Sequence, residues 1–480
     1  MALFHSVIMS QATQHDVVPQ PGPIAKFPPE IIIEFFKFAV LSSEEARSHG
    51  AKILCLVDKY WNDLANETSD LWTKVTLAYP LNADQLSAVQ KWLEASKPKA
   101  IDVEIDLCDP VWNGPDLEAE GRRPKEDHAK LKGMIAALSG SEHRWRSISI
   151  KSDIWHPTNE FLRACEIQNL PLLESISLET VDDGVGAEPT ALLPRESVDV
   201  PTLFGSTGTL MPKLRGVSLS DVPVNWKSAV TSLQNLCKLE IKDLHHRAGP
   251  TFEQFATLLA ASPRLEVLDV TGYCPNLDPA STQSRTPLLR LPALKHFVFG
   301  WTHVRPARHF LARFDIPTTL ETLSLIDVES GRDNCWRPDP EPFQYIDDSS
   351  SVFEHLACLG SVDLKNVDPS KPWISMLGLK CLSVSWVMAA SDLPMVIMFL
   401  QKAPMIEEIH LTGVDQGVLD AVSVSVRARH LRSLKRLYIW NNGYESIETR
   451  RTTDLLRSLG LQVTVNKFTE GDFCFNPIAL

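Results

Sequence analysis

The stretch Leu265-Glu-Val-Leu-Asp-Val270 is followed 29 residues later by Leu294-Lys-His-Phe-Val-Phe299. Both read apolar, two residues, apolar, one residue, apolar. Towards the N-terminus the phrase recurs as Leu236-Leu239-Ile241, Leu214-Val217-Leu219, Leu173-Ile176-Leu178 and Trp145-Ile148-Ile150. Towards the C-terminus it recurs as Leu320-Leu323-Leu325, Leu359-Val362-Leu364, Leu379-Leu382-Val384, Ile406-Ile409-Leu411 and Leu434-Leu437-Ile439. The first positions stand 28, 41, 22, 29, 29, 26, 39, 20, 27 and 28 residues apart. Most intervals fit one supersecondary unit of about 20–29 residues, and the two longest fit a unit with an inserted loop. The last three residues of each phrase alternate in, out, in, as a strand with one buried face requires.

One such unit cannot fold alone. Its few buried side chains contribute about 1.5–3 kcal/mol each, while ordering each residue costs about 1–2 kcal/mol of backbone entropy. Only stacking neighbours into a continuous core closes that gap. The series resembles leucine-rich repeats, with one departure. The position eight residues after the first apolar one normally carries Asn or Cys. Here it holds Val181, Val222, Leu244, Val328, Val367, Val387 and Val414, and only Asn442 fits. The side-chain ladder that would bond the turn backbone is missing, so those groups must be satisfied another way.

The chain has 480 residues and a net charge of −13, which argues against an unspecific binder of nucleic acid or anionic membrane. No run is long and apolar enough for a membrane span. Met1 to Gln14 lacks the basic start and apolar core of a signal peptide. The nine cysteines are scattered without a C-x-x-C pair, which suits a reducing compartment. A cytoplasmic or nuclear protein is expected.

Residues 1–23 read as a flexible tail. Phe27-Pro-Pro-Glu-Ile-Ile-Ile-Glu-Phe-Phe-Lys-Phe-Ala-Val-Leu41 opens with proline and an acidic residue, both good helix starters, and has a wide apolar face. A second helix is expected over Ile53 to Ala65 and a third segment over Thr68 to Val75. This order resembles an F-box. The matching residues are Phe27, Pro28, Glu30, Ile31 and Ile32, then Leu54, Val57, Lys59, Trp61, Leu64 and Ala65, then Leu71 and Trp72. Phe27 replaces the usual Leu, and Asp58 sits where Cys is common. The resemblance implies binding to a Skp-type adaptor, and through it to cullin. It places Pro28, Glu30, Ile31, Ile32, Leu54, Val57 and Trp61 in the adaptor-facing or supporting set. The expected fold class is α/β: a three-helix F-box over 24–80, a helical linker over 81–140, and an irregular leucine-rich-repeat solenoid with a curved parallel sheet over 141–480.

Helical returns are expected at Thr251 to Ala260, Leu393 to Leu400 and Leu419 to Leu431. Loops are expected at 187–208, 274–290 and 327–351, and a cap over Leu459 to Val465. No phosphate-cradling glycine loop, nucleophile elbow or metal-ligand spacing occurs, so no catalytic residue, metal or cofactor is expected.

The informative surface is the open face of the sheet. Large aromatics and arginine at exposed positions are the types that anchor interfaces, which selects His296, Trp301, Trp386, His410, Arg436, Tyr438 and Trp440 as target-binding residues. The function expected is a substrate-recognition subunit of a cullin–RING ligase that performs no covalent chemistry itself and binds an unknown target protein. The alternative is a protein-interaction scaffold outside any ligase, with the N-terminal helices as a solenoid cap.

Overall fold

In a computed structural model of the chain, ten of the eleven phrases form strands of one parallel sheet. The structure describes residues 27–42, 44–79, 83–108, 125–153, 155–164, 170–181, 203, 211–244, 249–272, 289–301, 307, 310–311, 313–315, 317–328, 376–387, 393–441 and 446–467. The strands are β1 (Lys74–Ala78), β2 (Ile101–Asp106), β3 (Trp145–Ser152), β4 (Ser175–Thr180), β5 (Gly216–Ser220), β6 (Lys238–Lys242), β7 (Val267–Thr271), β8 (Leu289–Arg290), β9 (His296–Trp301), β10 (Phe314–Asp315), β11 (Thr322–Asp327), β12 (Cys381–Ser385), β13 (Glu408–Thr412), β14 (Arg436–Asn441) and β15 (Gln462–Lys467). Thirteen of them form one open sheet in chain order, with only β8 and β10 set aside as a separate pair. One strand per unit, parallel and in sequence order, is the arrangement expected of a leucine-rich-repeat solenoid.

The chain divides into two compact units: Met1–Val75 with Lys91–Lys99, and Thr76–Gln90 with Ala100–Leu480. The division does not follow the expected linker. Ile101 to Asp106 is a sheet strand paired with β3, so the sheet begins well before residue 141. At the other end, Leu459 to Val465, expected as a cap, stands at the last position of the sheet. It leads into β15, which adds one more parallel strand beside β14. Leu289–Arg290 pairs with Phe314–Asp315 instead of belonging wholly to a loop.

β11 pairs directly with β12, Leu323 opposite Leu382 and Leu325 opposite Val384. Leu379-Leu382-Val384 is therefore the phrase that follows Leu320-Leu323-Leu325 in the sheet. The strand expected at Leu359-Val362-Leu364 lies outside the described residues, as do the tail 1–23 and most of the three expected loops.

In the ten phrases every apolar position is buried except Leu434, which is half-buried. The returns behind the sheet bury matching stripes. Thr251 caps Phe252–Ala260 with a reciprocal Gln254 bond, and Phe252, Phe255, Leu258 and Leu259 are buried. The return expected from Leu419 begins at Gln416 instead, because Asp415 caps it by accepting from the Val418 N–H at 3.0 Å.

A backbone ladder runs along the start of the strands. The Glu266 N–H donates to Cys237 O, Lys295 to Glu266, Glu321 to Lys295, Lys380 to Glu321, Glu407 to Lys380 and Lys435 to Glu407, all at 2.7–2.9 Å. The side chains at these positions alternate in sign and pair at Lys295–Glu266 (2.9 Å), Lys380–Glu321 (3.4 Å) and Lys435–Glu407 (2.7 Å). Exposed pairs of this kind add little stability, but they favour this order of strands over others.

In five of the ten phrases the missing Asn ladder is replaced by a corner seven residues after the first apolar position. Asp221, Asp243, Gly272, Trp386 and Gly413 occupy it with φ of 48°, 51°, 69°, 60° and 58°. Each left-handed residue turns its N–H onto the next strand: Asp221 to Lys242 O, Asp243 to Thr271 O, Gly272 to Gly300 O, Trp386 to Thr412 O and Gly413 to Trp440 O. The chain then dives inward, which buries Val222, Leu244 and Val387. Glycine and Asp tolerate this conformation, whereas a bulky residue there is an outlier.

Trp386 therefore needs support, and Gly413 supplies it. A Cβ on Gly413 would stand 2.3 Å from the Trp386 ring. Gly413→Ala should lower stability by about 1–3 kcal/mol through backbone strain and this collision. Urea unfolding should show the loss, and adding Trp386→Ala should recover part of it. Wild-type stability in Gly413→Ala would refute the corner.

Candidate functional site

Two surfaces hold the residues singled out from sequence, one in each compact unit. The first is built by the N-terminal helices α1 (Pro29–Leu41), α2 (Glu44–Cys55) and α3 (Lys59–Glu67), followed by a 3₁₀ turn at Ser69–Trp72. The expected single helix Ile53–Ala65 is two helices. The chain turns at Leu56-Val57, and Asp58 restarts it as an N-cap, accepting from the Trp61 N–H at 2.7 Å. Asp58 thus has a structural task at the position where the resemblance anticipates Cys.

Helix α1 is apolar on two faces. Ile32, Phe36 and Val40 face the core of the unit, and the Phe36 ring lies 4.8 Å from that of Trp61. Ile31, Phe35 and Phe38, at i, i+4 and i+7, face water instead. Phe27, Ile53, Leu56, Val57 and Tyr60 are also exposed, Leu56 to 84% and Phe38 to 75%. The seven residues of the adaptor set therefore divide. Pro28, Glu30, Ile31 and Val57 are at the surface, Trp61 is half-buried, and Ile32 and Leu54 support from within.

The second surface is the open face of the sheet. Register places His410 opposite Tyr438, Glu408 opposite Arg436 and Thr412 opposite Trp440 on β13 and β14. The His410 and Tyr438 rings stack at 4.6 Å with 20° between planes. Arg436 is ion-paired with Glu408. The other Glu408 oxygen lies 3.6 Å from His410 Nε2. Burial holds the imidazole below its ordinary range, so it is neutral at pH 7, and its Nδ1 is buried without a hydrogen-bond partner. Burial pushes the neighbouring Cys381 thiol up, which disfavours the thiolate a nucleophile needs. The cluster is suited to contact: aromatic faces, a neutral imidazole and one guanidinium.

Of the seven target residues, His410, Arg436, Tyr438 and Trp440 stand side by side on β13 and β14, with Trp386 at the end of β12. His296 lies apart on β9, where Nδ1 is 3.1 Å from Thr322 Oγ1. Trp301 is a correction. It is fully buried, with its ring 5.9 Å from that of Phe299. Strand β9 keeps its pleat through residue 301, so Phe297, Phe299 and Trp301 share the inner face. Trp386 occupies the same place in its unit, but there the strand ends at Ser385 and the left-handed corner turns the side chain away.

Sequence reasoning also missed a charged group on β6 and β7. Lys242 lies 3.1 Å from Asp269 and 3.7 Å from Glu240, and Lys238 lies 3.1 Å from Glu240. Burial raises the Asp269 carboxyl, while Lys242, the Ser218 hydroxyl and Lys238 outweigh burial at Glu240 and hold it low. The available signal was a carboxylate inside an apolar phrase, Leu-Glu-Ile and Leu-Asp-Val. Among the described residues no group of three His, Cys, Asp or Glu could hold a metal ion, and no helix is long and apolar enough to cross a membrane.

No family model matches the chain, and no curated protein matches it. Among solved structures it is similar to the leucine-rich repeat-containing protein LegL7 from Legionella pneumophila, at 10% identity and a TM-score of 0.35, over 85% of this chain and 93% of that one. A likeness so distant adds no weight to what the sheet itself displays.

Trp301→Ala should cost about 3–5 kcal/mol, as for other fully buried aromatics, in a urea titration. A loss near zero would place that ring outside the core. The folded pKa of His410 lies below the free value of 6.5, so its stabilising contribution is complete above that value and lost as pH falls through the folded one. Melting temperature should therefore drop from pH 7 to pH 5, and less so in His410→Phe; equal drops would contradict a buried neutral imidazole.

Proposed function

We propose that the chain is the substrate-recognition subunit of a cullin–RING ubiquitin ligase, holding a Skp-type adaptor with its N-terminal helices and a target protein with its repeat sheet. The supporting observation is that the large apolar side chains of Ile31, Phe35, Phe38, Leu56 and Val57 are all exposed on one small helical unit. A helix apolar on nearly all sides normally has both faces covered. A unit this small gains stability by placing such side chains on a partner. The N-terminal F-box resemblance says which partner. No covalent chemistry is assigned to the chain; engaging both proteins raises the effective concentration of target near the ligase.

The alternative, an interaction scaffold with these helices as a cap, shares the protein-binding sheet. A cap shields the end of a solenoid and shows water a polar outer face. The exposed apolar residues on α1 and in the turn after α2 are the opposite, which favours the adaptor reading.

Purified chain should capture a recombinant Skp-type adaptor. Ile31→Asp with Val57→Asp should weaken capture at least ~100-fold, since each buried side chain of this size contributes about 1.5–3 kcal/mol. Circular dichroism should be unchanged, because both residues are exposed. No capture by wild-type chain, or undiminished capture by the double variant, would overturn the assignment.

A further inference from the structure

We propose that two copies of this chain join through the free edge of β15, in an antiparallel twofold pairing centred on Thr464. The inference is independent of the ligase reading and concerns the far end of the sheet.

Strand β15 pairs with β14 on one side and with no other described strand on the other. The Gln462 N–H donates to Lys435 O at 3.0 Å, on the β14 side. Backbone groups alternate along a strand, so Thr464 and Asn466 also face β14, while the N–H and C=O of Val463 and Val465 face the free edge. Arg457 confirms the direction independently. Its Nη2 donates to Val463 O at 3.3 Å, leaving that carbonyl one lone pair.

The edge is self-complementary. Gln462-Val-Thr-Val-Asn466 reads the same in both directions by residue class. An antiparallel twofold axis at Thr464 sets Val463 against Val465 of the second copy, and Gln462 against Asn466 of the second copy. Valine meets valine in hydrogen-bonded pairs, amide meets amide, and Thr464 meets itself. A twofold axis brings like charges close in many registers, but residues 462–466 carry none. They also lack the proline with which exposed edges block pairing, and the Arg457 guanidinium that reaches this edge is paired with Asp454 at 2.9 Å. Val463 and Val465 are only half-buried, whereas the two inner strand positions of every phrase from β3 to β14 are buried. A second copy would continue that core row across the axis.

Light scattering on the full chain should give twice the 53.6 kDa of one copy. Thr464→Cys should form a disulfide-linked dimer under mild oxidation beyond any seen in wild type. At the centre of a non-hydrogen-bonded pair the Cα atoms stand about 4.5 Å apart, within disulfide reach. Gln462→Cys should not cross-link, because its two copies lie on opposite sides of the axis. Val465→Pro removes an edge N–H that β14 does not use and should return a folded monomer. A mass of one copy at every concentration, equal cross-linking at 462 and 464, or a dimer that survives Val465→Pro would each overturn the proposal. So would an intact chain that is monomeric and dimerises only when 468–480 are deleted, since its own tail would then hold the edge.

Discussion

Every backbone N–H and C=O in a strand must find a partner, and between the two ends of this sheet the partners lie in the neighbouring units. That one constraint orders the rest. A unit of about 28 residues cannot offset its own conformational entropy, so each strand is stable only between neighbours. The ladder from Cys237 to Lys435, the alternating Lys–Glu rim and the left-handed corners all serve the same step from one unit to the next. Where the corner residue is Trp386, the following unit answers with a glycine, so even an irregular corner is solved by the neighbour.

The two surfaces differ in their physics. On α1 and in the turn after α2 large apolar side chains are exposed. On β12 to β14 the aromatic and charged groups are already engaged with one another: His410 on Tyr438, Arg436 on Glu408, Trp386 over Gly413. The first arrangement suits a partner that supplies bulk apolar cover. The second suits a partner that must match a fixed pattern, and such a pre-ordered face loses little entropy on binding.

Much of the sheet was legible in the sequence because its period is carried by large apolar side chains. Ten phrases became strands at the expected positions, and the buried stripe of Phe252, Phe255, Leu258 and Leu259 followed from spacing alone. Three things were not legible, for separate reasons. The pattern cannot say that the strand beside β11 is Leu379-Leu382-Val384, 59 residues after Leu320. Trp301 and Trp386 share a phrase position; only the backbone angle after the strand decides that one is core and the other corner. The edge strands β1 and β15, and β2 beside β1, lie outside the run of phrases and escape a search for repetition. At the candidate site, adjacency of His410, Arg436, Tyr438 and Trp440 followed from register, but the burial of His410 and the pairing of Arg436 did not.

The most direct test is hydrogen exchange at the ladder amides, above all Lys380. The account predicts that Lys380 N–H, bonded to Glu321 O at 2.8 Å across a gap of 59 residues in the chain, exchanges as slowly as Lys295 and Glu407. Fast exchange at Lys380 beside slow exchange at Lys295 and Glu407 would mean that the sheet is broken between β11 and β12, and that the single continuous stack does not exist.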